Sequence, residues 1–328
     1  MRTLVFSSRN YFKKALTAVR SNHDLQFVET RLDSLTAPLA AGYPAVVVFV
    51  NDRVDQTTLQ ILARGGTRLV ATLSTGYNHI DVPAARELGM TVASVPSYSP
   101  HAVSEFTLGL ILSLARHIPR ACQRVRDNNF ELEGLEGFEL KQKTVGVVGT
   151  GAIGQEVVRN LHGFGCRILA HDPSPAASLN GLASYVSLEE IFRESDILTF
   201  HVPLLPATRH LVNSSTLARM KTGVILINTS RGAIFDTHAV ISSLKSGQIG
   251  GLAIDVYEEE AGLFFADHSS DILTDDIFAR LLTFPNVLVT GHQAFLTDHA
   301  LHRIAETTLQ SLSEFESKGA CTHCIPDR

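Results

Sequence analysis

Three ionisable residues follow three strongly apolar runs in the second half of the chain. Arg231 follows the run 224–228, Glu260 follows the run 251–255, and His292 follows the run 287–290. Arginine binds a carboxylate or carbonyl oxygen through a planar fork of N–H groups, and histidine is the most frequent proton donor in enzymes. A carboxylate beside a histidine orients the ring and stabilises its charged form. The three residue types therefore predict proton transfer to a polarised carbonyl oxygen.

A glycine-rich turn upstream of these residues predicts a dinucleotide site. The β-branched run 144–148 leads directly into GTGAIG at 149–154, and a helical pattern of apolar residues follows. In such a turn Gly149 permits the sharp reversal, Gly151 lets a pyrophosphate approach the backbone, and Gly154 allows the helix to pack closely on the strand. The free N–H groups at the start of the helix would then bind the phosphates.

The second strand of this segment indicates which dinucleotide binds. The predicted strand 166–170 is followed by Asp172, eighteen residues after Gly154. A carboxylate there accepts hydrogen bonds from ribose hydroxyls and repels a 2′-phosphate, and no Arg or Lys stands between Asp172 and Leu182. We therefore predict NAD as the cofactor. Next to NAD, these residues predict hydride transfer to a 2-oxo acid. Arg231 would bind the substrate, and His292 would donate a proton to its carbonyl oxygen.

The elements that must position these residues form an α/β pattern. Residues 1–98 alternate strand and helix, Pro96 and Pro100 bracket a crossing, and the alternation resumes after the glycine turn. Strands separated by helices are parallel, and ligands of such sheets bind beyond the carboxyl ends of the strands. The sequence thus predicts two Rossmann-like, doubly wound domains with the Arg, Glu and His residues along one edge.

Composition excludes several partners. The 328 residues are 45% hydrophobic and 19% charged with a net charge of −5, so neither nucleic acid nor an anionic membrane is expected as a partner. No transmembrane run is present. Four cysteines fit a reducing compartment, and Cys321 and Cys324 are too few ligands for zinc, so we predict an ordinary tail and no metal. Residues 1–23 are basic and acid-free, which also fits a presequence, but their strand–helix order favours a domain start and a cytoplasmic protein.

A helix predicted over 102–117 is apolar on every face between 106 and 115. Such a helix must be covered all round, either by its own domain or by another subunit. We prefer the second alternative and predict a homo-oligomer, either a dimer or a tetramer.

Longer motifs resemble a known family. The segments GTGAIG, NTSRGAIFD, GGLAIDVYEEE and FPNVLVTGHQAFLT are similar to the D-isomer-specific 2-hydroxyacid dehydrogenases. SPHAVSEF, HVPLLPATRHLVN and LFFADHSSDILTDDIFARL point, within that family, to the bacterial fermentative D-lactate dehydrogenases. The resemblance implies that an NAD-binding Rossmann domain, 99–298, is inserted into a flavodoxin-like substrate domain made of 1–98 and 299–328.

The resemblance also implies roles for individual residues. Arg231, Glu260 and His292 match the catalytic residues, and Asp172 matches the acid on the adenosine ribose. Thr75 and Gly76 match the loop that holds the substrate carboxylate, and Tyr98 and Phe295 match pocket aromatics. The complete set predicted to contact the cofactor is Gly149, Gly151, Ala152, Ile153, Gly154, Asp172, His201, Pro203, Thr229, Ser230 and Asp255.

Three positions depart from the family pattern, which has Arg, His and Asn where this chain has Leu73, Phe106 and Ala115. Leu73 precedes the carboxylate loop and therefore bears on substrate preference and on anion-linked regulation.

The implied activity is reduction of pyruvate or a close 2-oxo acid by NADH to the D-2-hydroxy acid. Two alternatives stay open: a reductase for a bulkier substrate such as phenylpyruvate, and a non-catalytic NAD sensor on the same fold. A formate dehydrogenase of this family would carry Gln at position 260.

Overall fold

The structure is a computed structural model that describes residues 1–326. It divides into two compact units. The terminal unit comprises Met1–Ser99 together with the chain from Phe295 onward, and the central unit is Pro100–Ala294. The central unit is thus an insertion in the chain of the terminal unit, as the family resemblance implies. Its second boundary lies four residues before the predicted one at 298, since Phe295 belongs to the terminal unit.

The first part of the terminal unit is a sheet of parallel strands with helices between them. Its elements are β1 Arg2–Val5, α1 Asn10–Ala18, β2 Asp24–Phe27, β3 Ala45–Val48, α2 Gln56–Arg64, β4 Leu69–Thr72, α3 Val82–Glu87 and β5 Thr91–Ala93. The strand order is β2-β1-β3-β4-β5 and every pairing is parallel. This is the flavodoxin-like order. Every residue of β3 and β4 is buried, which explains why both strands are continuous apolar runs.

The central unit is a larger parallel sheet with helices on both faces. Its elements are α4 Pro100–Ala115, α5 Ile118–Arg126, β6 Thr144–Val148, α6 Ala152–His162, β7 Arg167–His171, β8 Ser184–Tyr185, α7 Leu188–Glu194, β9 Ile197–Phe200, α8 Ser214–Leu217, β10 Val224–Asn228, α9 Thr237–Ser246, β11 Ile249–Ile254, α10 Asp276–Leu282 and β12 Val287–Val289. The strand order is β12-β11-β10-β9-β6-β7-β8. The order reverses between β6 and β9, where a doubly wound sheet binds its ligand.

Two apolar layers cover the sheet of the central unit. One layer contains Val147 of β6 and Leu161 of α6, and the other contains Phe200 of β9 and Val240 of α9. Neighbouring residues of a strand point to opposite faces, so a sheet covered on both sides needs apolar residues at every position. The predicted fold class, two doubly wound α/β domains, is confirmed.

The apolar helix α4 is covered mostly by its own unit. It packs against α6, β10 and β11, and Thr107, Leu110 and Ile111 are buried while Phe106 and Leu112 are half-buried. It ends at Ala115, two residues before the predicted end. The backbone at His117 is left-handed, with a φ of 51°, and starts the separate helix α5.

The chain returns to the terminal unit through α11, Asp298–Lys318, which packs on α1 and β4. The prediction of an ordinary tail is wrong in one respect, because Cys321 and Cys324 form a disulfide. A turn in which the Cys324 N–H donates to the Cys321 carbonyl brings their Cα atoms to 5.1 Å. Within residues 1–326, no helix is long and apolar enough to cross a membrane.

Candidate active site

The glycine turn lies between β6 and α6 and has little room for side chains. Gly149 is left-handed, with a φ of 92°, and a Cβ on it would lie 2.5 Å from the carbonyl oxygen of His201. A Cβ on Gly154 would overlap the carbonyl of Gly149, which explains the close packing of α6 on the strand. At Gly151 the space is open, so a phosphate group can approach the backbone there. The turn therefore fits a dinucleotide, with Ala152 and Ile153 as the first residues of α6.

Asp172 lies just beyond the carboxyl end of β7. Its carboxylate accepts hydrogen bonds from the N–H of Thr150, at 2.7 Å, and of Ser174, at 2.8 Å. These bonds tie the acid to the glycine turn and still leave lone pairs for a pair of ribose hydroxyls. The geometry fits NAD, whose ribose carries both hydroxyls.

His201 and Pro203 follow β9 beside the same turn. The Nε2 atom of His201 lies 2.9 Å from the hydroxyl of Thr199. Desolvation lowers the pKa of His201 to about 3, so its ring is neutral at pH 7. Pro203 is exposed. A neutral ring and a proline without an N–H add no charge beside the cofactor.

Arg231 is held at the end of β10 by a residue that the sequence prediction missed. The buried side chain of Asn228 donates to the Arg231 carbonyl at 2.9 Å and accepts from the Ser230 N–H at 3.0 Å and from its hydroxyl at 2.8 Å. The hydroxyl of Thr229 pairs with Thr107 of α4 at 2.9 Å. An amide side chain that closes an otherwise apolar strand was the signal in the sequence.

Glu260 and His292 form a hydrogen-bonded pair. One carboxylate oxygen of Glu260 lies 2.9 Å from His292 Nδ1, and the other accepts the N–H of Tyr257 at 3.1 Å. The two side chains are 24% and 17% exposed, so solvent screens their interaction only partly. The ring of Phe265 lies 5.5 Å from the imidazole.

Asp255 supports the turn that carries His292. Its carboxylate is buried and accepts from the Thr290 hydroxyl at 2.5 Å and from the N–H groups of Gln293 and Ala294 at 2.9 and 2.8 Å. Burial raises the pKa of Asp255, although these hydrogen bonds oppose the shift. His292 itself has a φ of 54°, a left-handed conformation that is uncommon outside glycine and that the hydrogen bonds of this turn maintain. A cofactor contact by Asp255 stays a prediction.

The segments that carry Arg231 and Glu260 touch through their backbones. A Cβ on Gly232 would overlap the carbonyl group of Tyr257, so only glycine fits beside that loop. Because β10, β11 and β12 are neighbours in the sheet, their carboxyl ends share one edge. The Arg231 turn thus packs on Tyr257 at Gly232, and the Glu260 side chain is hydrogen-bonded to both Tyr257 and His292.

The terminal unit holds the predicted carboxylate-binding loop. Thr75 is exposed after β4, and the buried hydroxyl of Ser74 donates to the Gly76 carbonyl at 2.7 Å. The same hydroxyl lies 2.7 Å from that of Thr72, so the loop is fixed to the strand. Leu73 is buried, with 1% of its surface exposed.

The predicted pocket aromatics belong to a larger cluster in the terminal unit. Phe295 lies 6.3 Å from Tyr98, 6.2 Å from Phe12 and 5.8 Å from Phe49, measured between ring centroids. Phe12 and Phe49 were not predicted as members of this cluster, because nothing in their local sequence pattern separates them from other core residues. Asp52 was missed as well. Its buried carboxylate accepts from the Ser7 hydroxyl and from the N–H groups of Leu32 and Phe49, all at 2.6 Å.

In the part of the chain that the structure describes, no three His, Cys, Asp or Glu side chains are grouped so that they could hold a metal ion. A parallel sheet of this strand order, with a glycine turn beside its switch point, defines a dinucleotide-binding domain of the Rossmann class.

Comparisons with known proteins agree with this class. Residues 108–294 match the model of the D-isomer-specific 2-hydroxyacid dehydrogenase NAD-binding domain. D-lactate dehydrogenase of Escherichia coli is 47% identical, over 98% of both chains. An aromatic 2-oxoacid reductase of Clostridium sporogenes is 43% identical over 91% of both. The D-lactate dehydrogenase of Aquifex aeolicus complexed with NAD and lactic acid is 30% identical with a TM-score of 0.86, over 99% of this chain and 100% of that one.

The chain belongs to the D-isomer-specific 2-hydroxyacid dehydrogenase family. It is an NAD-dependent oxidoreductase, and the predicted cofactor is confirmed.

Proposed function

We propose that the protein reduces a small 2-oxo acid, pyruvate in the first instance, to the D-2-hydroxy acid. One observation carries the proposal. The Glu260–His292 pair, with its 2.9 Å hydrogen bond, lies on the strand edge that also presents Arg231. Glu260 engages Nδ1 of the ring, so Nε2 is the nitrogen that faces a substrate.

Each residue of this set has one task in the proposed reaction. NADH supplies the hydride. The guanidinium of Arg231 binds the substrate carboxylate and carbonyl oxygen through two N–H groups and polarises the C=O bond. His292 donates its proton to the carbonyl oxygen, and Glu260 keeps the ring oriented and stabilises its charged form. Reduction needs the ring protonated and oxidation of the hydroxy acid needs it neutral, so the two directions should depend on pH in opposite ways.

We propose that the terminal unit is the substrate domain. The sequence predicts residues 1–98 and 299–328 for this domain, and Phe295 also belongs to the terminal unit. In this unit the N–H groups of Thr75 and Gly76 bind the substrate carboxylate, and the hydroxyl of Ser74 keeps that loop in shape. Tyr98 and Phe295 bound the substrate side chain. Both rings are packed in the cluster with Phe12 and Phe49, which favours a methyl group over a bulky substituent. The name of the Clostridium relative keeps phenylpyruvate as the second candidate.

A homo-oligomer, dimer or tetramer, is the proposed assembly. The helix α4 is largely covered by its own unit and is not the surface that supports this proposal. Large apolar side chains are instead exposed in and after α5, where Ile118, Val125, Phe130 and Leu132 are 46% to 79% exposed. Several large exposed apolar side chains within one short stretch of chain favour an interaction surface there. Light scattering on the native protein and on Phe130→Ser with Leu132→Ser should show a loss of assembly in the variant. A cytoplasmic location stays a prediction.

The decisive experiment is an assay of NADH absorbance with pyruvate, 2-oxobutyrate, 2-oxoisocaproate and phenylpyruvate. We expect kcat/KM to be highest for pyruvate and the product to be the D-isomer. His292→Ala serves as the control for a background reaction. If NADH binds but its absorbance does not fall with any 2-oxo acid, the protein is a sensor on this fold and the proposal is refuted.

A further inference from the structure

A second acid in the Glu260 loop is held by partners from two distant segments. Glu258 is only 15% exposed at its side chain, whereas its neighbour Glu259 is exposed. One of its carboxylate oxygens lies 2.5 Å from His210 Nε2 and 3.3 Å from the Arg209 guanidinium. The other accepts the hydroxyl of Thr237 at 3.3 Å. A carboxylate withdrawn from water is stable only when it is paired in this way.

The partners of Glu258 flank the turn that carries Arg231. Thr237 is the first residue of α9, which follows that turn. The N–H of His210 donates to the Ala233 carbonyl at 2.8 Å, and the N–H of Val212 donates to the Ile234 carbonyl at 3.0 Å. The segment 209–212 is therefore hydrogen-bonded to the backbone that follows Arg231. Glu258 contacts both segments, the first through His210 and the second through Thr237.

The backbone of Glu258 touches the same turn from the other side. A Cβ on Gly232 would overlap both the backbone nitrogen of Glu258 and the carbonyl group of Tyr257, so the two segments are in direct contact. Three pieces of chain thus converge on one carboxylate. They are the loop that continues from His201, the turn with Arg231, and the loop with Glu260.

His210 shows that this arrangement is over-determined. Its φ is 50°, in the left-handed region that side chains other than Gly rarely adopt. The Asn213 side chain fixes its carbonyl at 2.8 Å, and the contacts to Ala233 and Glu258 fix its N–H and its ring. A strained residue persists where its surroundings hold it on several sides, and such places cluster near functional sites.

We propose that Glu258 is a positioning residue. Through His210 and Thr237 it fixes the turn of Arg231 against the loop of Glu260, so that the guanidinium fork meets the substrate in register. The inference rests on the proposed function, because it concerns how Arg231 is aligned. A misplacement of about 1 Å at a substrate-binding group lowers the rate by as much as ~10²-fold, so loss of Glu258 has a measurable effect.

The test compares Glu258→Ala, Glu258→Gln and, as the matched control, Glu259→Ala. For Glu258→Ala we expect the KM of the oxo acid to rise about tenfold, with NADH dissociation, followed by its fluorescence, unchanged within about twofold. Glu258→Gln should recover most of the loss, because its amide oxygen accepts from Thr237 and its amide N–H donates to His210. Glu259→Ala should match the native protein. A role limited to stability would lower the melting temperature without this split between the two constants.

A double-mutant cycle tests the contact itself. His210→Ala should raise the same KM, and the double variant with Glu258→Ala should be no worse than the poorer single variant. Additive losses would overturn the proposal, as would a native KM in Glu258→Ala or a Gln variant as poor as the Ala variant. If Glu258→Ala does not fold, Thr237→Val and His210→Ala provide the same comparison.

The proposed function and this inference fail in different ways. If His292→Ala keeps native turnover, the proposed function fails whatever Glu258 does. If His292→Ala is inactive while Glu258→Ala keeps the native KM, only the role of Glu258 is refuted.

Discussion

The two parallel sheets of this protein end in different chemistry. In the central unit the carboxyl ends of β10, β11 and β12 lead to Arg231, Glu260 and His292, which are polar and hydrogen-bonded. In the terminal unit the strand ends lead to Phe49 and Tyr98, which pack with other rings. The same topological rule places both groups at a sheet edge. One edge is built for charge and the other mainly for shape.

The difference shows in how each group is held. In the central unit, the Arg231 turn and Glu260 each have a polar partner three residues away in sequence, Asn228 for the turn and Tyr257 for Glu260. Rings of the terminal unit are fixed by residues far apart in sequence, such as Phe12 and Phe295. A hydrogen bond needs one well-placed atom, which a short turn supplies, whereas a packed wall needs several side chains that only the folded chain brings together.

We expect the greatest loss of activity from a change on the charged edge. His292→Ala removes the proposed acid, and kcat for reduction should fall by roughly 10²–10⁴-fold, the usual range for a general acid. Steady-state assays with saturating NADH measure this loss. Asp52→Asn in the terminal unit serves as the comparison and should retain most of kcat. Near-normal turnover of His292→Ala would mean that the charged edge is not where the chemistry occurs.

The next effect belongs to Asp52, whose carboxylate is buried in the terminal unit. Burial raises the pKa of Asp52 from 3.8 to about 6, despite its three hydrogen bonds. Between pH 3.8 and about 6, the Asp52 carboxyl group is therefore protonated in the folded state and ionised in the unfolded state. The stabilising contribution of this proton is complete below pH 3.8 and is lost as the pH rises through about 6, by about 3 kcal/mol.

Urea unfolding of the native protein and of Asp52→Asn between pH 4 and pH 7 measures this term. As the pH rises, the free energy of unfolding of the native protein should fall relative to that of Asp52→Asn. Asp55, whose pKa is lowered mainly by the N–H of Thr58 at the start of α2, is the control. Its contribution has the opposite sign and is lost as the pH falls. Parallel pH profiles for native protein and Asp52→Asn would contradict the predicted shift.

A smaller effect concerns cofactor choice on the central unit. Asp172→Ser removes the acceptor for the ribose hydroxyls and the charge that repels a 2′-phosphate. Because a hydrogen bond to a charged group contributes about 1.5–3 kcal/mol, the preference for NADH over NADPH should fall by roughly tenfold to a hundredfold. The ratio of kcat/KM for the two cofactors checks this. Equal values for both in the native protein would refute the role of Asp172.

The smallest effect should come from the shape-building edge. Phe295→Ala should shift the ratio of kcat/KM for phenylpyruvate over pyruvate by about tenfold, since pocket volume discriminates only modestly between apolar groups. NADH binding should stay unchanged. Leu296→Ala, a change at an exposed neighbour, is the matched control. If Phe295→Ala lowers kcat for both substrates equally, the ring supports the fold rather than the choice of substrate.

The fold class and the positions of the candidate chemistry follow from the order of the residues along the chain. Apolar runs separated by helices predict parallel strands, and parallel strands bring their carboxyl ends to one edge, so the sequence alone predicts that Arg231, Glu260 and His292 share that edge. The glycine turn and Asp172 were equally readable, because phosphates and ribose hydroxyls demand a particular order of small and acidic residues. These are short-range patterns, and each carries its reason within about thirty residues.

The groups that hold that chemistry in place are recognisable only in the folded chain. The Asp52 carboxylate is hydrogen-bonded to Ser7, Leu32 and Phe49. The Glu258 carboxylate is hydrogen-bonded to His210 and Thr237, which lie in two other segments of the chain. No local pattern marks these partners, because burial and hydrogen-bond geometry arise only when segments distant in sequence pack together.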